Sequence, residues 1–427
     1  MTLPIDLRLA ARPLLGRPPL GRAPLPIRVA LWALTLASLA LGCEQALPGE
    51  ETYYDREIAP SLVVGCQMTT SGCHLANERG SAPGNLDLAS YDSLRRRYDL
   101  LVPYGPYARP MLLLKTGEPE AITVDVHDPP DPSRPDVRTL AIETDIRHAG
   151  GLGLPQGSLA RASIQRWLAE GFDRHGAIRE PPRAESSGEC APGAGHAPGF
   201  SADDVPDATL FEAFTRDVQP ILSQRCAGDA CHGAVLADFH LACDETEEER
   251  RWNFWIATRF LGEPIERSEL LAKPLAVADG GAFHGGGDTF VNRDDPEYRA
   301  IADFATEVAE RAPALVRDDD VSDGYRYFVN RVQPTLVRKG CMALACHSPL
   351  SVAFHLRGGS NGAFSRFSRR LNYETTLSFL ALESTDPNQS RLIGKNLHPA
   401  HLAPDAHGML HRGGALLEDF GGSADAS

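Results

Sequence analysis

Six cysteines of this chain fall into three pairs, each closed by a histidine: Cys66 and Cys73 before His74, Cys226 and Cys231 before His232, Cys341 and Cys346 before His347. Two thiols followed at once by an imidazole form the set that covalent haem attachment needs. The thiols bond two vinyl groups and the imidazole ligates iron from below the tethered ring. The usual two-residue spacing widens here to four residues in the second and third pairs and to six in the first. Attachment tolerates this if the extra residues bulge outward. The competing assignment is a disulfide closing each small loop with the histidine incidental. Zinc is a weaker option, because no unit has a second cysteine pair at finger-like spacing.

Six-coordinate haem iron takes a second axial ligand, normally methionine or histidine. Methionine is no general solution, since the chain holds only Met1, Met68, Met111, Met342 and Met409, and the second unit has none. That unit offers His240 and His284, and only His284 recurs throughout, as His148-Ala-Gly-Gly151, His284-Gly-Gly-Gly287 and His411-Arg-Gly-Gly414. His148, His284 and His411 are therefore the expected distal ligands, with the glycines letting backbone approach a flat macrocycle. A plain surface turn is the alternative. His240 and His355 read as core or haem-edge residues, and Lys115, Lys273 and Lys395 as partners for haem propionates or as exposed helix-face lysines. His398, His401, His407 and Met409 either compete with His411 or belong to a solvated tail, and His127 with Asp125, Asp128 and Asp131 reads as a cation site or a Pro-rich loop.

These residues sit in a threefold internal repeat. Tyr54-Asp-Arg-Glu-Ile-Ala-Pro60, Phe214-Thr-Arg-Asp-Val-Gln-Pro220 and Phe328-Val-Asn-Arg-Val-Gln-Pro334 precede the cysteines, with each proline expected near a helix start. After each Cys-His come Leu86-Asp-Leu88, Phe239-His-Leu241 and Phe354-His-Leu356, then blocks ending in Lys115, Lys273 and Lys395. Amphipathic helical stretches close the first two units, at 159–170 and 298–309. Strand-like alternation is confined to the insertion 122–146. The expected architecture is mainly α, with three tandem haem domains at 51–175, 208–310 and 324–421, joined by linkers at 176–207 and 311–323.

At Pro220-Ile-Leu222, Cys231-His232, Leu86-Asp-Leu88, Pro387-Asn-Gln-Ser-Arg-Leu392 and Ile164-Gln-Arg-Trp167 the chain resembles the planctomycete-type cytochrome c domains. The resemblance covers nearly all of the mature chain in three copies and implies haem binding and electron transfer. The chain departs from the pattern in its wider cysteine spacing and in carrying His-x-Gly-Gly where many cytochromes place methionine. The third unit also ends soon after Phe420 with no closing helix.

The first residues carry Arg8, Arg12, Arg17, Arg22 and Arg28 against Asp6, then an apolar run from Val29 to Gly42 that ends at Cys43. This reads as an export signal. Leu39-Ala-Leu-Gly-Cys43 resembles a bacterial lipobox, giving a lipidated Cys43 and a periplasmic or outer-membrane-anchored protein; a soluble secreted protein is the alternative. Cys190 and Cys243 remain as a candidate disulfide, suited to an oxidising compartment. With 57 acidic and 42 basic residues in 427 and a net charge of −15, the chain has no nucleic-acid-binding character. The expected function is electron transfer to and from redox partner proteins through three covalent haems c, with membrane contact only through the anchor. A multihaem peroxidase with one open iron and a haem-free, disulfide-stapled surface lipoprotein are the rival classes.

Overall fold

In the computed structural model, the described residues are 51–63, 74–76, 82–126, 139–146, 148, 151–176, 190, 193, 195, 200–201, 207–234, 237–317, 322–348, 353–397, 411 and 416–417. The signal region with Cys43, the first thiol pair Cys66 and Cys73, the His127 loop, and His398, His401, His407 and Met409 lie outside them. Residues 52–427 form one compact unit, mainly α.

In repeat 1 a π-helical segment, Tyr54–Ile58, leads into α1 (Ala59–Leu62), followed by α2 (Tyr91–Arg95), α3 (Met111–Thr116) and the closing helix α4 (Leu159–Ala169). The alternating insertion makes an antiparallel hairpin of β1 (Ala121–Asp125) and β2 (Thr139–Glu143), with Val124 opposite Leu140. Repeat 2 has α5 (Ala208–Ala213), a π segment Phe214–Val218, α6 (Gln219–Arg225), α7 (Glu247–Arg259), α8 (Glu269–Ala272) and closing α9 (Pro296–Arg311). Repeat 3 has α10 (Asp323–Tyr327), a π segment Phe328–Val332, α11 (Gln333–Arg338), α12 (Arg366–Leu377) and α13 (Arg391–Asn396).

The three π segments occupy the same place in the repeat and correct the expectation for the prolines. In repeats 2 and 3 the helix begins earlier, capped by Asp207 and Ser322, and runs on past the proline. A proline ring inside an α-helix collides with the carbonyl four residues back. The widened turn relieves this. The N–H of the residue before each proline reaches five residues back, from Ala59, Gln219 and Gln333 to the carbonyls of Tyr54, Phe214 and Phe328.

One core joins Tyr54, Leu94, Leu113 and Trp167 of repeat 1 to Tyr325, Phe328, Val337 and Leu356 of repeat 3. Repeat 2 has its own core around Phe214, Phe254 and Phe304. The three π segments are covered by different elements. Trp167 packs on Tyr54 at 5.6 Å and Phe304 on Phe214 at 5.3 Å, whereas Phe328 packs on Tyr373 of α12 at 5.5 Å and enters the core shared with repeat 1. The described part of the 176–207 linker is pinned to repeat 2. Cys190 is joined to Cys243 by a disulfide with Cα atoms 5.2 Å apart, and Phe200 packs edge-on against Trp252 at 5.1 Å.

Candidate functional site: three opposed histidine pairs

The wide cysteine loops of repeats 2 and 3 share two backbone hydrogen bonds. His232 N–H donates to the Cys226 carbonyl and Cys231 N–H to Gly228, matched by His347 to Cys341 and Cys346 to Ala343. The extra residues are thus taken up in a closed turn. The leucine of each downstream anchor then donates its N–H to the carbonyl of the Cys-His histidine: Leu88 to His74 at 2.9 Å, Leu241 to His232 at 2.8 Å and Leu356 to His347 at 2.7 Å. With Leu88, Leu241 and Leu356 buried, each histidine is anchored to the core through its own backbone.

Every proximal histidine faces its expected distal partner. The ring centroids of His74 and His148 are 5.7 Å apart with planes 18° from parallel, those of His232 and His284 5.8 Å and 7°, and those of His347 and His411 5.9 Å and 3°. In the first pair the Nε2 atoms are 3.4 Å apart. That is shorter than the centroid distance by about the width of one ring, so the nitrogens point at each other. His240 is buried instead against Trp252, with centroids 6.2 Å apart.

The His-x-Gly-Gly sequence is both a turn and the device that aims the ring. Gly151 N–H donates to His148 O, and Gly287 N–H to His284 O. Gly151 (φ 77°) and Gly287 (φ 86°) are left-handed, a conformation open to glycine at little cost, and this turns their carbonyls back onto the imidazoles. The Gly151 carbonyl accepts from His148 Nδ1 at 3.2 Å and that of Gly287 from His284 Nδ1 at 2.9 Å. A Cβ on Gly286 would stand 3.2 Å from the His284 ring. The glycines therefore serve the histidine directly, by turning a carbonyl onto its ring. On the proximal side His347 Nδ1 donates to Phe354 O at 3.1 Å. The Phe239 carbonyl acts likewise on His232, raising its basicity without close hydrogen-bond geometry.

A carbonyl only accepts, so each Nδ1 bonded to one carries the hydrogen, and its Nε2 presents a lone pair. Such a bond is made by His148, His284 and His347, one ring of each pair, and the lone pair each presents can accept a hydrogen from the opposite imidazole or, together with it, hold a metal. Burial lowers the His232 pKa to about 4, helped by His284, and also lowers those of His284 and His347. The neutral imidazole that results is the form that ligates metal.

The second pair lies in a cavity of about 440 Å³ that also exposes Cys226 and Cys231 and is walled by Leu222, Phe239, Phe260 and Phe290. This volume is in the range of cofactor sites. Among the described residues no cluster of three or more His, Cys, Asp or Glu side chains gathers as around a bare ion. Two opposed imidazoles without further protein ligands suit a metal whose other positions are filled by a macrocycle. Imidazole–metal bonds are about 2 Å long, so nitrogens 3.4 Å apart stand close to the separation that an intervening ion needs. The residues present therefore fit a haem.

The described thiols of repeats 2 and 3 are not in disulfides. Burial, then the neighbouring Cys231, pushes the Cys226 thiol up to about 12, and burial, then Cys346, does the same to Cys341. Lys273 lines the second cavity, but its charge is matched by buried Glu269 at 2.8 Å. Burial alone would raise the Glu269 pKa; Lys273 and the Ser365 and Ser368 hydroxyls outweigh it and hold the carboxylate ionised. Lys395 lies close enough to lower the basicity of His347, while Lys115 is exposed and acts on Cys346 of repeat 3 rather than on its own repeat. Asp125 is buried and paired with Arg267 at 3.0 Å. Sequence reasoning missed Tyr104, Arg357 and Ser368 in the second cavity wall. They come from other repeats, so no local motif marks them.

No family model matches this chain, and no curated protein or solved structure matches it either.

Proposed function

We propose that the chain is an exported electron carrier with three covalently attached haems c, each iron held between two histidines: His74 and His148, His232 and His284, His347 and His411. The observation that carries this reading is the threefold recurrence of opposed, near-parallel imidazoles beside Cys-His loops. When bound, a haem supplies an iron that changes oxidation state by one electron. The chain's own residues do the rest. Thiols would tether, backbone carbonyls fix the tautomer of one imidazole in each pair, and Phe239, Phe260 and Phe290 wall the second site. Paired histidines at all three sites favour electron transfer over a peroxidase, which needs an open iron position. Four described thiols outside any disulfide, beside a Cys190–Cys243 pair that has formed one, weigh against the stapled lipoprotein. Redox partners with basic docking faces suit the net charge of −15.

The test is intact mass, with a haem stain on denaturing gels, after expression with a c-type maturation system. A gain of three haem equivalents is expected. An unchanged mass with disulfides in the Cys-His loops would reject the reading. Export and anchoring belong to the same proposal: mature protein beginning at a lipidated Cys43 should partition into detergent, and Cys43→Ser should release it.

A further inference from the structure

We infer that the third site is the junction of the molecule, through which the first and second sites exchange electrons, so that their order in space is first, third, second. The inference rests on the haem reading above and concerns residues between the sites.

Repeat 3 supplies part of the wall of the second cavity through Ser348, His355 and Arg357. Ser348 directly follows the ligand His347. His355 directly follows Phe354, whose carbonyl accepts from His347 Nδ1 at 3.1 Å and whose ring packs on the same imidazole at 5.0 Å. One hydrogen bond and one peptide link therefore lead from the third site's ligand to a side chain on the second cavity. The corresponding residue of repeat 2, His240, is buried against Trp252 and makes no such link.

The other side of the third site meets repeat 1. Asp145 N–H donates to Arg338 O at 2.9 Å, Asp145 holds the buried Lys339 ammonium at 2.6 Å, and Ile146 lies against Gly340. These contacts join the strand leading into His148 to the turn leading into Cys341. Cys346 in turn feels the charges of Lys115, Asp99 and Arg97. Repeat 1 also touches the second site, where Tyr98 and Tyr104 pack on Phe283 at 5.9 and 6.0 Å, and there the Tyr104 hydroxyl is 3.1 Å from Oγ of Ser348, the residue that follows His347, so repeat 3 shares this contact too.

The step is a bare electron exchange. Ferrous iron at one site loses an electron and ferric iron at the next gains it, with no bond made or broken, and one-electron redox proteins supply and remove the charge. The experiment compares the three-haem protein with Cys341→Ser/Cys346→Ser, which empties the third site, and Cys226→Ser/Cys231→Ser, which empties the second. Power saturation of the ferric low-spin resonances reads coupling between haems, and equilibration after rapid photoreduction reads transfer. Emptying the third site should slow relaxation of both remaining haems and slow first–second equilibration at least tenfold, while emptying the second should leave first–third coupling intact. If the first and second haems stay coupled as before without the third, the inference is overturned. Should a variant fail to fold, dipolar coupling in the unaltered protein decides: two strong pairwise couplings support the junction, and three equal ones refute it. Absence of haem from the unaltered protein would instead sink the proposed function.

Discussion

His284 and His240 compete for one iron in the sequence, and the fold separates them: His284 faces His232 at 5.8 Å while His240 packs on Trp252. His284→Ala should therefore give high-spin iron at the second site that binds carbon monoxide when reduced, and His240→Ala should leave the spectrum low-spin; the reverse pattern would transfer the ligand role. Recurrence made the six paired histidines legible, because three aligned copies exclude whatever they do not all carry, as Asp87 in the place of His240 and His355 excludes that position. Their orientation was not legible, since the groups that aim them are backbone carbonyls, which have no side-chain signature. Tyr54 shows the converse use of the repeat. It stands where the other units have Phe214 and Phe328, and its buried hydroxyl has no hydrogen-bond partner among the described residues. A buried unsatisfied hydroxyl is costly, so Tyr54→Phe should stabilise the protein by about 1 kcal/mol, read as a higher unfolding midpoint. An equal loss would mean that the hydroxyl is satisfied.

The elements that carry the site are short, and turns position them as much as helices do. Gly287 holds φ at 86° so that its carbonyl meets His284. An L-residue in that conformation costs roughly 1–2 kcal/mol, so Gly287→Ala should destabilise by about that amount and admit a high-spin fraction at the second site. Gly285→Ala, where an added Cβ meets nothing within 4 Å, should do neither. The turn and ligand readings of His-x-Gly-Gly looked like alternatives in the sequence, yet the turn that forms is the one that aims the imidazole, so the two do not exclude each other. The prolines misled for a physical reason. Proline does favour first turns, and nothing local in Gln219-Pro220 shows that the preceding helix will widen to a π turn instead of ending.

Across the whole molecule, the three repeats meet at Arg267 of repeat 2. Its guanidinium bonds Asp125 of the repeat 1 hairpin at 3.0 Å and the Asn361 carbonyl of repeat 3 at 2.7 Å. Burial raises the Asp125 pKa to about 6, against the opposing pull of Arg267. A carboxyl whose folded pKa lies above its unfolded one loses stability as pH rises between the two. Asp125 should therefore contribute a fall in stability of up to about 3 kcal/mol between pH 4 and 6, and Asp125→Asn should flatten that slope in denaturant titrations; an unchanged slope would disprove the shift. The threefold repeat, helical character and the strand-like insertion were readable in the sequence, but the pairing of that insertion into a hairpin and the core shared by repeats 1 and 3 were not. An apolar pattern shows that Phe328 and Val337 are buried without showing which repeat buries them. The thiol pair of repeat 3 adds a matter of timing. Cys341 is 8% exposed with its thiol pushed to about 12, whereas Cys346 is exposed, although partial burial raises its thiol as well. Since the thiolate is the reactive form, an alkylating reagent should label Cys346 and spare Cys341 in the folded, haem-free chain, and label both once it is denatured. On the proposed haem reading the order of biogenesis would follow: the bond to Cys341 would form more readily on the nascent, open chain than after this loop has closed.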